Sequence, residues 1–182
     1  MAHPYSKFPP ASTYSASTIP VSYSSGLYVR FYDNSSSGGY PSTTVGGSGW
    51  GSAVGTAGAY TQISFVDQYN TGTYSLPQLD HCTVYAKGYY YSATADTLQV
   101  QTVSDDGVQV YLNGSAIINN WTLHGPTTDT SSAVSVSAGY TPFYLIFYEW
   151  EGGAIITLNW KTSTSSYTTN LSGSFFYDPT NP

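Results

Sequence analysis

Apolar and polar residues alternate one by one along much of this chain. Leu27, Val29 and Phe31 take alternate places with Tyr28, Arg30 and Tyr32, and Val108, Val110 and Leu112 do the same with Gln109 and Tyr111. A period of two is that of a strand with one face buried and one face wet. Segments of this kind predict strands over 26–33, 63–66, 81–86, 97–103, 108–112, 117–120, 133–137, 142–148, 154–160 and 173–177. No stretch sustains an apolar period of 3.6, so no long helix is expected. About ten short strands with turn residues between them predict an all-β fold, an antiparallel β-sandwich or barrel.

The segments between these strands set the organisation. Residues 1–24, rich in Ser, Tyr, Pro and Thr, read as an extended arm, residues 25–178 as the sandwich or barrel, and 179–182 as a short tail. From Asn34 to Gly58 the chain is Gly/Ser-rich and reads as a long loop interrupted by Trp50; Thr122 to Ser132 reads as a polar loop. Asn113-Gly114 is a two-residue hairpin signal. Asp105-Asp106-Gly107 reads as a tight turn joining two alternating strands, and Glu149-Trp150-Glu151-Gly152-Gly153 as the turn of a closing pair. Trp121 and Trp160, at strand ends, read as core.

Composition narrows the partners. Charged residues make up 8% of the chain and the net charge is −6, with Lys7, Arg30, Lys87 and Lys161 the only positive side chains. Such a chain cannot replace the counterions of a phosphate backbone, so nucleic acid is excluded as a partner. No run approaches the ~18 apolar residues of a membrane helix, and no membrane insertion is expected. The first seven residues carry no apolar run of a secretory leader. Cys82 is the single cysteine; in its alternating run it reads as a buried structural thiol. The sequons at Asn34, Asn113, Asn120 and Asn170 carry no weight in so Ser/Thr-rich a chain. A neutral polar surface of Ser, Thr, Asn and Tyr suits contact with carbohydrate, and equally suits packing within an assembly.

Asp105 and Asp106 stand out chemically. Two adjacent carboxylates repel each other in a tight turn, and a hard cation reverses that sign. Calcium takes six to eight oxygen ligands and accepts several carboxylates. Successive strand side chains point to opposite faces, so both can meet one ion only if the backbone departs from a regular strand, for instance through a cis peptide. The alternative is a plain turn whose carboxylates accept local backbone N–H groups. His81 and His124 have no partner at metal-ligand spacing and read as incidental.

The run Val103-Ser104-Asp105-Asp106-Gly107-Val108-Gln109-Val110-Tyr111-Leu112-Asn113-Gly114, followed by Ile117 to Trp121, resembles the signature of the protective-antigen-type lectin-like domain, the PA-fourteen domain. Gly26 to Tyr32 resembles its opening strand, Ala138 to Glu149 with Leu158-Asn159-Trp160 its closing strands, and Gly173 to Asp178 its terminal strand. The resemblance implies a β-sandwich or barrel that binds carbohydrate. In the fungal adhesin branch it implies two consecutive aspartates, joined by a cis peptide, that hold a calcium ion which in turn coordinates sugar hydroxyls. Asp105 and Asp106 fall on that pair. The adhesin pattern also has an Asn in the loop between the closing strands, where this chain has Glu149 to Gly153 and no Asn.

The expected metal ligands are therefore Asp105, Asp106, Glu149 and Glu151, and the expected ligand-binding residues are Trp150, Gly152, Gly153 and Asn120. The cofactor is Ca2+ and the partners are cell-surface or polysaccharide glycans. No enzyme is expected: the aspartates of a calcium site are held by the ion and are not free to shuttle protons between two sides of a sugar. The functional expectation is a calcium-dependent lectin-like module for adhesion or surface recognition, located outside the cell, on the cell surface or on a virion. The alternative is a structural protein, a minor capsid, spike or surface-layer component, that uses the same fold to pack against neighbouring subunits.

Overall fold

The computed structural model describes residues 23–37, 39–67, 72–77 and 80–180. Fourteen strands occur among them: β1 (Ser24–Ser25), β2 (Leu27–Asp33), β3 (Ser52–Tyr60), β4 (Ser64–Val66), β5 (Tyr74–Ser75), β6 (Cys82–Ser92), β7 (Asp96–Asp105), β8 (Val108–Leu112), β9 (Ser115–Asn120), β10 (Thr127–Thr130), β11 (Val134–Val136), β12 (Gly139–Glu149), β13 (Ile155–Thr162) and β14 (Phe175–Tyr177). They form two sheets, one of eight strands and one of six. Every pairing is antiparallel except that of β4 with β5.

The period-two pattern predicts which side chains meet between the sheets. Leu27, Val29 and Phe31 of β2, Val108, Val110 and Leu112 of β8, and Phe143, Leu145 and Phe147 of β12 come from the larger sheet. Leu98 and Val100 of β7 and Ile156, Leu158 and Trp160 of β13 meet them from the smaller. Burying these side chains against one another is the main term holding the layers together. Cys82 lies in the same core, and burial pushes its thiol pKa up.

The outer face of the larger sheet is also covered. Tyr85, Ile146 and Tyr148 alternate with core residues yet are at most 3% exposed. The segment between β2 and β3 folds back over them, with the Trp50 ring against Tyr32 and Tyr85 and the Tyr40 ring against Tyr148. Its two ends are tied at buried Asn34, whose side chain donates to Thr83 Oγ1 and accepts the Gly51 N–H.

Several expectations need correction. The predicted loop 34–58 holds most of β3, a largely exposed edge strand that pairs with β2 and reaches the core only through Val54 and Tyr60, and so shows no apolar alternation. Gly55, at φ 66°, sits where the β2–β3 register shifts. The polar loop 122–132 holds β10, an edge strand on β7 with the same explanation. The strand predicted over 81–86 runs on to Ser92 as β6, whose neighbours change along its length from β2 to β14. Most of the arm lies outside the described residues, but Tyr23 stacks on Tyr89 at 5.3 Å and β1 pairs with β14. Asp105-Asp106-Gly107 is not a tight turn between neighbouring strands. β7 lies in the smaller sheet and β8 in the larger, and the supposed closing pair β12 and β13 is divided in the same way.

Candidate functional site

That last correction builds the site. β7 pairs with β13, with Asp105 opposite Ile155, and β8 pairs with β12, with Val108 opposite Phe147. The two connections that cross between the sheets therefore run side by side at one end of the sandwich. The Tyr148 N–H donates to the Gly107 carbonyl at 2.9 Å and locks them together. Gly107 must be glycine, since a Cβ there would come within 2.3 Å of the Tyr148 ring. The first crossing carries Asp105 and Asp106, joined by a cis peptide, and the second begins at Glu149.

Carboxylate oxygens of Asp105, Asp106 and Glu149 lie within 4.8 Å of one another. Asp106 is buried and held at both oxygens: Oδ1 accepts the His124 N–H at 2.9 Å and Oδ2 the Trp150 N–H at 3.0 Å. These donors are remote in sequence, so the reading of a plain turn bonded to its own backbone does not hold. Glu149 is 0% exposed, and neither of its oxygens has a hydrogen-bond partner among the described residues. Burial raises its pKa to about 9, with the charges of Asp106, Asp105, Asp80 and Asp67 adding to the effect. Asp105, half-buried, is raised to about 6 by burial and then by Asp106.

Without a counterion this arrangement is unfavourable, because buried carboxylate oxygens lacking donors forfeit their hydration. A hard divalent cation supplies what is missing, and three converging carboxylates are the donor set such an ion takes. The residues present fit that group.

The other expected site residues are placed differently. Glu151 is exposed and is not one of the clustered carboxylates; its Oε1 lies 3.8 Å from His81 Nε2. Trp150 is half-buried, its ring between His81 at 4.3 Å and Tyr40 at 4.6 Å. Gly152, at φ 107°, donates its N–H to Asp80 Oδ1, and Gly153 is half-buried. Asn120 ends β9 opposite Val108, and its amide is engaged by Asp129 and Thr122. Trp121, expected in the core, instead caps the outer face: its ring packs on Tyr148 at 4.6 Å and its Nε1 donates to the Pro41 carbonyl.

Sequence reasoning missed His124, whose contribution is a backbone N–H, as well as Tyr40 and Asp80. A main-chain donor leaves no mark on residue type, and Tyr40 sits in a Gly/Ser-rich segment without periodicity.

A family model described as the PA14 domain matches residues 23–173. No curated protein matches the chain. Among solved structures, the PA14 domain of the MpAFP antifreeze protein superposes with a TM-score of 0.67 at 16% identity, over 93% of this chain and 99% of that one. The A domain of epithelial adhesin 6 from Candida glabrata, solved in complex with Galβ1-3GlcNAc, gives 0.62 at 15% identity over 92% and 90%. An anti-sigma factor domain-containing protein from Clostridium clariflavum gives 0.64 at 19% identity, over 93% of this chain and 53% of that one. The chain thus spans about half the length of that protein. At these identities the likeness is one of fold.

Proposed function

The chain belongs to the PA14 domain family, and we propose that it is a calcium-dependent carbohydrate-binding module acting outside the cell in adhesion or surface recognition. The observation that carries this reading is Glu149, a buried carboxylate beside Asp105 and Asp106 whose two oxygens have no hydrogen-bond partner among the described residues. It takes the role expected of the adhesin Asn, from the end of β12 and not from the loop. A carboxylate in place of an amide makes the donor set more negative and favours a divalent cation over a monovalent one.

When bound, calcium offers coordination positions at which vicinal sugar hydroxyls replace water. The chain's own residues do the rest. Asp106, fixed by two backbone N–H groups, orients the cluster, and half-buried Asp105 sits towards solvent. Glu149 closes the site from inside. Trp150, tied through its own N–H to Asp106, brings an aromatic face to the rim. A glycan array supports this reading if binding appears with calcium and disappears with chelator; absence of any calcium-dependent signal contradicts it.

The second reading, a component of a larger assembly, draws on one observation. β3 is a nine-residue, largely exposed strand without charge that pairs only with β2 among the described residues, an edge at which another strand could add. Sedimentation at rising concentration tests it: self-association lost when Ala57 is replaced by Lys would favour assembly.

A further inference from the structure

We propose that the open edge of the sandwich, at the end away from the acidic cluster, is the docking site of this chain's own segment Thr18 to Ser22. The segment adds there as a strand, with Ile19 and Val21 turned into a cleft between the two sheets.

The two sheets close on each other along only part of that edge. β9 is the last strand of the larger sheet and pairs only with β8 among the described residues. On the smaller sheet β10 and β11 follow one another along one side of β7, at Gln101–Ser104 and then at Asp96–Leu98. Near the acidic cluster the edge is shut, with Asn120 Nδ2 of β9 donating to Asp129 Oδ2 at 2.9 Å in β10. Towards the other end it opens into a cleft of about 490 Å³. Leu112 and Ile117 of the larger sheet and Val134 and Val136 of the smaller line it, together with Tyr140 and Thr141 at the start of β12. None of its lining residues is charged. A sandwich edge with apolar walls, between strands that pair on one side only, is the place of an absent strand: edge backbone takes its hydrogen bonds and the cleft its alternate side chains.

Where the described chain starts points to the occupant. β1 is the outermost strand on the far side of the larger sheet, yet Tyr23, just before it, reaches back across that sheet. Its ring stacks on Tyr89 of β6 at 5.3 Å and meets Tyr140 of β12 edge-on at 5.2 Å. Tyr140 lines the cleft, so residues 1–22 join the sandwich beside it. Ile19, Val21 and Tyr23 alternate with Thr18, Pro20 and Ser22, the pattern of a strand with one buried face. Pro20 falls on the outward side, where an added edge strand tolerates it. At ~3.3 Å per extended residue, Thr18 to Ser22 span ~17 Å, the length of a short strand. From Phe8 to Ser22 no residue is charged, which suits a cleft without charge. A strand from another molecule would meet the same walls, but the tether at Tyr23 gives the chain's own segment an effective concentration on the order of millimolar.

The test attaches a nitroxide to the full chain at Ala116→Cys, exposed on β9 beside the cleft, and reads the backbone amide signals of isotope-labelled protein by NMR. Cys82 is buried and does not compete for the label. The expected result is loss of the Thr18 and Ile19 signals. The same signals should stay at full height when the nitroxide sits at Glu151→Cys, beyond the opposite end of β12, a strand of about 33 Å. Val21→Asp, a change outside the core, should restore them in the Ala116→Cys protein. Signals that survive the Ala116→Cys label, that are lost equally with the Glu151→Cys label, or that Val21→Asp fails to restore would overturn the proposal. So would equal loss in isotope-labelled protein without nitroxide when it is mixed with unlabelled protein that carries it at Ala116→Cys, because the occupant would then be a second copy's segment.

Discussion

Glu149 concentrates the chemistry of this domain in one side chain. Its pKa of about 9 means that, without a cation, the carboxyl is mostly protonated at neutral pH. Unfolding returns it to the ordinary value of 4.5. Between those values the folded state binds more protons than the unfolded, so the stability of the calcium-free domain should fall as pH rises from about 4.5 to about 9. Asp105 adds to the same trend between 3.8 and about 6. Urea midpoints at pH 5 and pH 9 in chelator should show the loss, and saturating calcium should remove most of it. Glu149→Gln replaces the protonated acid with a neutral isostere. Its calcium-free stability should match or exceed wild type at pH 7, with a flatter pH profile, and its calcium affinity should fall more than tenfold, or above about 1.4 kcal/mol. Calcium titration and thermal melts of the same variant check both halves.

At the scale of elements, two crossings and one covering segment make the site. Gly107→Ala drives a methyl into the Tyr148 ring and should destabilise the domain by about 1–3 kcal/mol. It should also weaken calcium, because Tyr148 joins the crossings. Asn34→Ala removes the two side-chain hydrogen bonds at the ends of the covering segment and should cost about 1–3 kcal/mol, read from chemical unfolding, with calcium affinity nearly unchanged. The strands with an inward apolar face were legible in the sequence, because burial on one side writes a period of two into residue type. β3 and β10 were not, since edge strands paired through backbone demand no particular side chain. The aspartate pair was legible as chemistry, but the tight turn expected there is a crossing between the two sheets. Local residues cannot reveal that β7 and β8 lie in different sheets; only the pairings with β13 and β12 decide it. Glu149 and Glu151 looked equivalent, and strand phase separates them: Glu149 falls on the inward side of β12 after Phe147, while Glu151 lies beyond the strand.

For the whole molecule, charge is distributed unevenly. Asp67, Asp80, Asp105 and Asp106 all bear on Glu149, whereas Lys161 lies over Tyr167, and Lys87 is lowered first by burial and then by Arg30. The sandwich thus carries a negative end formed where the chain changes sheets. An ion bound there joins both layers and should stabilise the folded state by mass action, by about 2.7 kcal/mol at a hundredfold excess over Kd. The most direct test of the central claim is a calorimetric titration of calcium into wild type and Asp106→Ala at pH 7. Saturable binding by wild type, with proton release seen as a buffer-dependent heat, and no binding by Asp106→Ala is the predicted result. A wild type that takes up no calcium, or an Asp106→Ala variant that binds it equally well, would contradict the account.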